Sequence, residues 1–392
     1  MSMVWAIPDH PWIDSSDGAQ VRIAMTVGAL GNLPGELGQV ILERPGDGYT
    51  RVDLDFSYGA INSKLSLGVD IKKAMSLRSN ANLSFRGVTV SGKGFIISQE
   101  EAEELGLGTI PGLENHIRPY MNGRDVAQYS RGKYIIDFYG LTIEEVKRRY
   151  PAAYQRLVDK VKPQREKVKR QSRREKWWIF AEPAPQYRDA ISGLARYIVI
   201  PQTSRRFYFI FLDSSVVADD KLVAIASDDA YILGILSSRI HRAWAIAAGG
   251  NLGAGNDPVY LKNTCFNTFP FPAANQAQQE HIRSIAEKID THRKSRQAEH
   301  PKLTLSDMYA VMEDLYYGVH LEGKKASISE EGAIPSLLQL HNELDLAVAE
   351  AYGWPIDLSD EKIIGRLLEM NHKRVKGEDI GNILWLRPEA NK

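Results

Sequence analysis

The hydrophobic pattern of the chain changes near Pro272, from short apolar segments to long segments with helical spacing. Before this point, runs such as Tyr197–Ile200 and Leu222–Ala226 are typical of strands. After it, apolar residues recur every three or four positions, as between Leu337 and Leu344. We therefore expect an α+β fold, with a mixed, mostly antiparallel β domain that contains inserted helices, followed by an all-α C-terminal domain.

Two helical patterns interrupt the predicted strands. The first is a basic segment whose helix we expect to kink or break at Pro163, because proline lacks the backbone N–H that a helix interior uses. The second follows the candidate N-caps Asp228–Asp229 and stops at Gly249. Nearer the N-terminus, Gln20–Val27 and Gln39–Glu43 favour two strands joined by a glycine-rich turn. We expect three domains, over residues 1–85, 86–275 and 276–392.

The basic segment concentrates positive charge. Thirteen of the 49 lysine and arginine residues lie between Lys147 and Lys176, together with three acidic residues. The chain has equal numbers of basic and acidic residues, so its net charge of zero conceals a strong separation of charge. Such a segment is typical of a surface that binds nucleic acid. The alternative is a solvated helical surface without a ligand. Trp177 and Trp178 end the segment, and we expect them to pack in the core rather than stack on bases.

Glycine clusters occur at two places where a phosphate-binding loop has to be considered. Gly28, Gly31 and Gly35 follow a strand pattern, but Pro34 and renewed apolar alternation leave no room for the helix that such a loop needs. The cluster at 249–255 follows a helix rather than a strand, which favours a flexible loop. We expect no cofactor site in this chain.

Motifs that carry catalysis or bind metal are also missing from the sequence. It contains no G-x-S-x-G, no P-loop and no Pro-Pro dipeptide, and therefore no N-P-P-Y type motif. Cys265 is the single cysteine, and the histidines lack metal-ligand spacing, so we expect neither a disulfide nor a metal site. Asp219 and Asp220 read as turn residues, and His341 as a structural histidine. With no long apolar run and no signal-peptide pattern, we expect a cytoplasmic protein without a membrane role.

Eight ordered segments carry a family resemblance. They are Pro119–Asp125, Tyr134–Gly140, Tyr197–Arg205, Ile235–Trp244, Thr264–Pro272, Leu340–Asp345, Ala351–Pro355 and Trp385–Pro388. The first five occur in the order seen in MmeI-like adenine-specific DNA methyltransferases of restriction-modification systems. The last three resemble the helical C-terminal domain of the same family. The chain thus resembles the C-terminal part of such an enzyme.

The resemblance implies a module that recognises a DNA sequence. Residues 1–85 would be the end of a methyltransferase catalytic domain with a linker, 86–275 the target recognition domain, and 276–392 the helical domain. Family members carry an S-adenosylmethionine-binding loop and an N-P-P-Y type motif upstream, and this chain has neither. We therefore expect this chain alone to be non-catalytic. Its parent enzyme would be a site-specific adenine DNA methyltransferase, in some cases with a nuclease. Its catalytic portion, in cis or in trans, would bind S-adenosylmethionine.

The expected partner is double-stranded DNA, from which the methylated adenine must be flipped out. Lysine and arginine of the basic segment suit contacts with phosphates, whereas arginine, asparagine and glutamine in the loops suit contacts with purine edges. The candidate phosphate-binding residues are Lys160, Lys162, Arg165, Lys169, Arg170, Arg173 and Arg174. The candidate base-reading residues are Gln202, Arg205, Arg206, Asn251, Asn256 and Lys262.

Two other classes of function stay open at this point. An RNA-binding module would use the same basic helix and would prefer hairpins or single strands to duplex. A non-enzymatic interaction scaffold would dock the helical tail on a protein partner and would need no nucleic acid.

Overall fold

The computed structural model describes residues 1–12, 22–46, 49–63, 65–252 and 257–387. Contacts within the chain group it into two units. The first unit contains Met1–Ala74 and Ser359–His372, and the second contains Met75–Leu358 and Lys373–Lys392. The division at residues 85 and 275 that the sequence suggests stays a prediction.

The first unit is built on a four-stranded sheet with the strand order β2-β1-β3-β4. Strand β1 is antiparallel to β2 and parallel to β3, and β3 and β4 form a long antiparallel hairpin. Gly35 begins β3 where the chain passes close to β1, because a Cβ there would lie 2.6 Å from the Met3 carbonyl oxygen. The strands are β1 (Ser2–Pro11), β2 (Arg22–Ala29), β3 (Gly35–Gly46) and β4 (Tyr49–Gly59).

The second unit contains two four-stranded sheets and a two-stranded ribbon. The sheet β10-β9-β12-β5 is antiparallel throughout, whereas the sheet β11-β7-β8-β6 contains one parallel pair, β11 with β7. The ribbon pairs β13 with β14. The strands are β5 (Ser84–Arg86), β6 (Ile96–Ile97), β7 (Ile117–Met121), β8 (Tyr134–Ile136), β9 (Arg196–Pro201), β10 (Ile210–Asp213), β11 (Val217–Ala218), β12 (Leu222–Ile225), β13 (Gly250–Leu252) and β14 (Asp257–Val259).

Short helices are inserted between these strands. The basic segment forms helices α3 to α6, and the predicted break at Pro163 is confirmed, because α4 ends at Lys160 and the proline lies in the first turn of α5. Asp229 caps α8 as predicted, but Ser238 divides the expected helix into α8 and α9. The inserted helices are α1 (Gln99–Glu104), α2 (Gly123–Ala127), α3 (Ile143–Arg149), α4 (Pro151–Lys160), α5 (Lys162–Glu166), α6 (Gln171–Glu175), α7 (Pro185–Ile191), α8 (Ala230–Ser237) and α9 (Arg239–Ala248).

The rest of the chain is helical, so the predicted α+β class is confirmed. Helix α10 packs closely on α8, because Gly234 leaves the space that Ile282 occupies. In the described residues, every helix is too short or too polar to cross a membrane. The C-terminal helices are α10 (Gln276–Glu299), α11 (Leu305–Tyr316), α12 (Gly323–Glu331), α13 (Ile334–Tyr352) and α14 (Asp360–Asp379).

His241 on α9 is fully buried among aromatic side chains. Its Nε2 atom is 3.0 Å from the Tyr260 hydroxyl, and its ring packs edge-on against Phe209 and Phe269. Burial lowers the pKa of His241 to about 3, since the cation would be desolvated there. The folded protein therefore holds this imidazole neutral.

This burial predicts a loss of stability in acid. Between pH 6.5 and about 3 the unfolded chain protonates His241 and the folded chain does not, so the free energy of unfolding falls as the pH falls. Replacing His241 and Tyr260 together by phenylalanine removes the titrating imidazole and its hydrogen-bond partner, so neither is left buried without the other. In urea unfolding between pH 7 and pH 5, this variant should lose up to about 1.4 kcal/mol per pH unit of the parent's pH dependence. An unchanged pH dependence would contradict a neutral buried His241. The comparison isolates His241 from His341 and Asp345, which titrate in both proteins.

Candidate functional site

The loop that follows β9 is fixed between two neighbouring strand ends. The backbone N–H of Gln202 donates to the Lys221 carbonyl at 2.8 Å, and the Gln202 carbonyl accepts from the Tyr260 N–H at 2.8 Å. The loop backbone is thus held on both sides, while the Gln202 side chain is half-buried. Its amide remains a donor and acceptor at the end of the sheet.

The ribbon of β13 and β14 lies against the same loop. Thr203 pairs with Val259, and the Ser204 N–H donates to the Pro258 carbonyl at 3.3 Å. On the other strand of the ribbon, the exposed Asn251 lies opposite Pro258. The structure therefore brings together the two groups of candidates that are about fifty residues apart in sequence. Asn256 lies outside the described residues.

The two arginines of the loop differ in their surroundings. The Arg205 side chain is 78% exposed and contacts Asp257 of the ribbon at 3.4 Å. The Arg206 side chain is 33% exposed, and its Nε donates to Glu313 of α11 at 2.7 Å. Arg205 is thus presented to solvent, whereas Arg206 joins the loop to the helical tail. An exposed ion pair such as Arg205–Asp257 is weak enough to exchange for another partner.

Lys262 begins a π-helical turn over Lys262–Phe266, directly after the ribbon. Its ammonium group donates to the Asn263 side chain at 3.0 Å, and partial burial lowers the pKa of Lys262 from its ordinary value. The cation is therefore partly desolvated at the edge of the ribbon. We name Gln202, Arg205, Arg206, Asn251 and Lys262 the loop cluster.

Lys221 belongs beside this cluster, although the sequence did not single it out. Its carbonyl accepts from the Gln202 N–H directly beyond the last paired residues of β9 and β12, so the two residues are neighbours. Its backbone N–H donates to the Asp219 carboxylate at 2.9 Å, so Asp219 acts as the turn residue that was predicted. The Lys221 side chain is exposed. In the sequence it is a lone lysine directly before the predicted strand Leu222–Ala226, and it carries no signal of its own.

One residue of the basic segment must be removed from the candidates. Arg165 is 1% exposed, and its Nη2 donates to the carbonyls of Val90 and Ile179 at 3.0 and 3.1 Å. Burial lowers the pKa of this guanidinium, and the side chain packs beside Phe95. Arg165 was predicted to contact phosphate, and that prediction is wrong because the guanidinium faces the core and holds two loops together.

The other candidate cations of the segment are exposed or half-buried, with different partners. Lys162 lies over the Trp177 ring at 5.6 Å, and Arg174 donates to two carbonyls within the segment at 2.7 Å. Lys160 and Lys169 are exposed. Trp177 is buried, and Trp178 donates to the Leu141 carbonyl, so both tryptophans pack as predicted. The remaining two candidates, Arg170 and Arg173, both bind Glu182.

Short contacts link the basic segment to the loop cluster. Glu182 pairs through its backbone with Thr89, and the Thr89 hydroxyl donates to Asp220 at 3.1 Å. Asp220 precedes Lys221, whose carbonyl binds Gln202. The two predicted groups therefore lie at connected positions of one unit.

The glycine cluster after α9 has a packing role. A Cβ at Gly249 would lie 2.6 Å from the carbonyl oxygens of Ala245 and Val259, so the glycine allows the ribbon to approach the helix end. The prediction of a flexible loop is wrong for Gly250–Leu252, which form β13. The residues at 253–256 lie outside the described residues.

Two polar residues of α13, His341 and Asp345, have structural roles. His341 is within 3.0 Å of the Tyr309 hydroxyl, and burial lowers the pKa of this histidine to about 3. Asp345, one turn later, accepts from the Arg239 N–H at 2.7 Å. Across the described ranges, three or more potential metal ligands converge nowhere.

Comparison with known proteins identifies the unit that carries these residues. The family described as MmeI, target recognition domain matches residues 70–273, which is more than half of the 392 residues. The chain belongs to this family. The match contains the loop cluster, Lys221 and the whole basic segment. Every candidate phosphate-binding and base-reading residue thus lies within the residues that match the MmeI target recognition domain.

Similar proteins are much longer than this chain. DNA methyltransferase A of Bacillus subtilis (strain 168) is 27% identical over 190 residues, which are 47% of this chain and 18% of that protein. The structure of the Type IIL restriction-modification enzyme MmeI in complex with DNA matches 96% of this chain and 46% of that chain, with a TM-score of 0.69 and 20% identity. At this identity the match establishes the fold. The type IIG restriction endonuclease BpuSI matches at 11% identity, covering 90% of this chain and 44% of that chain, with a TM-score of only 0.34.

The burial of Arg165 generates a stability test. Arg165→Ala removes a buried guanidinium that donates to the carbonyls of Val90 and Ile179, and it should lower the free energy of unfolding by about 2–4 kcal/mol. Lys169→Ala, an exposed cation four residues later, should change it by less than about 0.5 kcal/mol. Denaturant unfolding of both variants measures the difference. Equal effects of the two substitutions would contradict the burial of Arg165 and make it a candidate phosphate-binding residue again.

Proposed function

We propose that this chain is the double-stranded DNA recognition module of a restriction-modification enzyme that methylates adenine. The observation that carries the proposal is the loop cluster. Three segments that are distant in sequence, at 202–206, at 219–221 and at 250–252 with 257–262, join into one surface that presents two guanidinium groups, two ammonium groups and two amides. Membership of the MmeI target recognition domain family and the fold shared with MmeI support the same function.

The chemistry of the cluster suits purine edges in the major groove. A guanidinium such as that of Arg205 can donate two parallel hydrogen bonds to guanine O6 and N7. The amides of Gln202 and Asn251 can pair with adenine N6 and N7. Because the backbone of each segment is fixed by strand pairing, these groups are positioned before DNA binds. We assign base reading to the cluster, with Arg206 as an anchor to α11 that reads a base only if Glu313 releases it.

The basic segment supplies the contacts that fix the register of the module on the duplex. Phosphate contacts position a protein without reading sequence, and they make affinity strongly dependent on salt. We assign this role to Lys160, Lys162, Lys169, Arg170, Arg173 and Arg174. The buried Trp177 supports duplex over single-stranded nucleic acid, because recognition of single strands depends on exposed aromatic side chains that stack on bases.

Methyl transfer belongs, in this proposal, to a catalytic portion that joins the module in cis or in trans and binds S-adenosylmethionine. The chain spans less than half the length of the proteins that it resembles. The first sheet and the turn between β2 and β3 expose several large apolar side chains, which supports the interpretation of residues 1–85 as the end of a catalytic domain. They are Val27, Leu30, Leu33, Ile41, Leu42, Phe56 and Tyr58. We place the assembled enzyme in the cytoplasm, where its DNA substrate lies.

Selection from a random duplex library tests the proposed function. The parent chain should select a consensus, and Arg205→Ala should relax one base pair of it by roughly 1–3 kcal/mol. Arg206→Ala should relax the consensus less, because its guanidinium is already paired with Glu313. Arg44→Ala is a matched control, since Arg44 is an exposed arginine that pairs with Asp53 at 3.1 Å outside the family region.

The outcomes separate the module from its individual contacts. If the parent binds duplex DNA and selects no consensus, the recognition function is wrong. If the parent selects a consensus that Arg205→Ala and Arg206→Ala both retain, only these two assignments are lost. Preference for RNA hairpins or single strands over every duplex would favour the RNA-binding alternative.

A further inference from the structure

Two arginines of the basic segment converge on one carboxylate oxygen. Arg170 Nη1 lies 2.8 Å and Arg173 Nη2 lies 2.7 Å from the same Glu182 Oε1 atom. The contact with Arg173, then the charge of Arg170, lowers the pKa of Glu182, so the carboxylate is ionised at neutral pH. Two cations around one anionic oxygen have the geometry of a phosphate site.

The backbone holds this arrangement in place. Glu182 exchanges two backbone hydrogen bonds with Thr89, at 3.0 and 3.1 Å, and Arg173 lies within α6. Arg170 and Glu182 are both more than half exposed. An incoming anion therefore has access to the pair, and the carboxylate is free to leave it.

We infer that Arg170 and Arg173 form a phosphodiester site whose resident anion is the Glu182 carboxylate, and that DNA binds there by displacing it. This inference rests on the proposed function. Glu182 neutralises one of the two positive charges before DNA arrives, so each encounter with a duplex must exchange one anion for another. The ion pair is exposed, and pairs of this kind are weak enough for the exchange to be reversible.

Displacement has a consequence for specificity. Phosphate contacts strengthen binding to every sequence alike, and they do not distinguish the recognition site from other DNA. A carboxylate that competes with phosphate weakens this general term, while the contacts of the loop cluster with bases are unchanged. Thr89 pairs through its backbone with Glu182 and donates its hydroxyl to Asp220, next to Lys221, so the competing anion lies near the reading surface. Glu182 thus lowers the affinity for non-specific duplex and makes the complex depend more on base contacts.

The test compares two charge-equivalent variants on duplex DNA of random sequence. Glu182→Gln should bind roughly threefold to tenfold more tightly than the parent, with a log–log salt slope steeper by up to about one. Glu175→Gln is the matched control. Glu175 lies in the basic segment, beside Arg173 and Arg174 in sequence, and is exposed. Its side chain binds Gln171 rather than Arg170 or Arg173. It adds the same charge to the segment and should give less than half of this gain. Combining Glu182→Gln with Arg170→Ala and Arg173→Ala should abolish the gain.

Each outcome decides one point. Equal gains for Glu182→Gln and Glu175→Gln would overturn the inference, because the effect would be one of general charge. Weaker binding of Glu182→Gln would also overturn it, since Glu182 would then orient the arginines for phosphate instead of competing with it. Glu182→Asp keeps the charge and shortens the side chain, so its affinity for duplex should fall between those of the parent and Glu182→Gln. This variant keeps the inference testable if Glu182→Gln does not fold. Failure of the parent to bind any duplex would reject the proposed function itself.

Discussion

The burial of strand β9 on both faces is the constraint on which the candidate site depends. Tyr197 to Ile200 are fully buried, and β9 lies between β10 and β12 in the sheet. Arg196 at one end of the strand pairs with Glu287 of α10, which ties the sheet to the helical tail. The other end delivers Gln202 between Lys221 and Tyr260. The loop cluster is therefore positioned by a strand that cannot shift without exposing its apolar side chains.

The cations of this chain fall into groups that differ in what they can bind. Arg165 is a core residue, because its side chain is buried and its guanidinium donates to the carbonyls of Val90 and Ile179. Arg206 is committed to Glu313, and Arg170 and Arg173 share Glu182. The total positive charge of the basic segment therefore overstates the charge that it presents to a ligand.

Sequence patterns predicted the elements in which local chemistry and burial agree. The apolar run of β9, the Asp229 cap of α8 and the break at Pro163 all follow from local rules, and all three are confirmed. The burial of Arg165 does not follow from such rules, because its acceptor Val90 is 75 residues away and the segment contains twelve other cations that look equivalent in sequence. Arg206 and Glu313 are 107 residues apart.

Strands whose pairing is decided at a distance were also missed. Gly250–Leu252 read as a loop because glycine weakens strand patterns, yet the ribbon forms where Thr203 pairs with Val259. Strand β1 contains Pro8 and Pro11, which weaken a strand pattern, and it was not predicted, although it is the second strand of the first sheet. Lys221 was overlooked because a lone lysine carries no signal until its neighbour across the sheet is known. Local propensity thus predicts elements well, and residues in the site poorly.

Hydrogen exchange of the chain alone, with a duplex carrying its selected consensus and with a scrambled duplex, measures directly whether the loop cluster reads bases. Protection at 202–206, 219–222 and 250–252 should appear with the consensus duplex and be weak with the scrambled one. Protection of the basic segment at 167–176 should appear with both, because phosphates are common to every sequence. Equal protection of the loop cluster by both duplexes, or protection confined to the C-terminal helices, would contradict base reading by this surface.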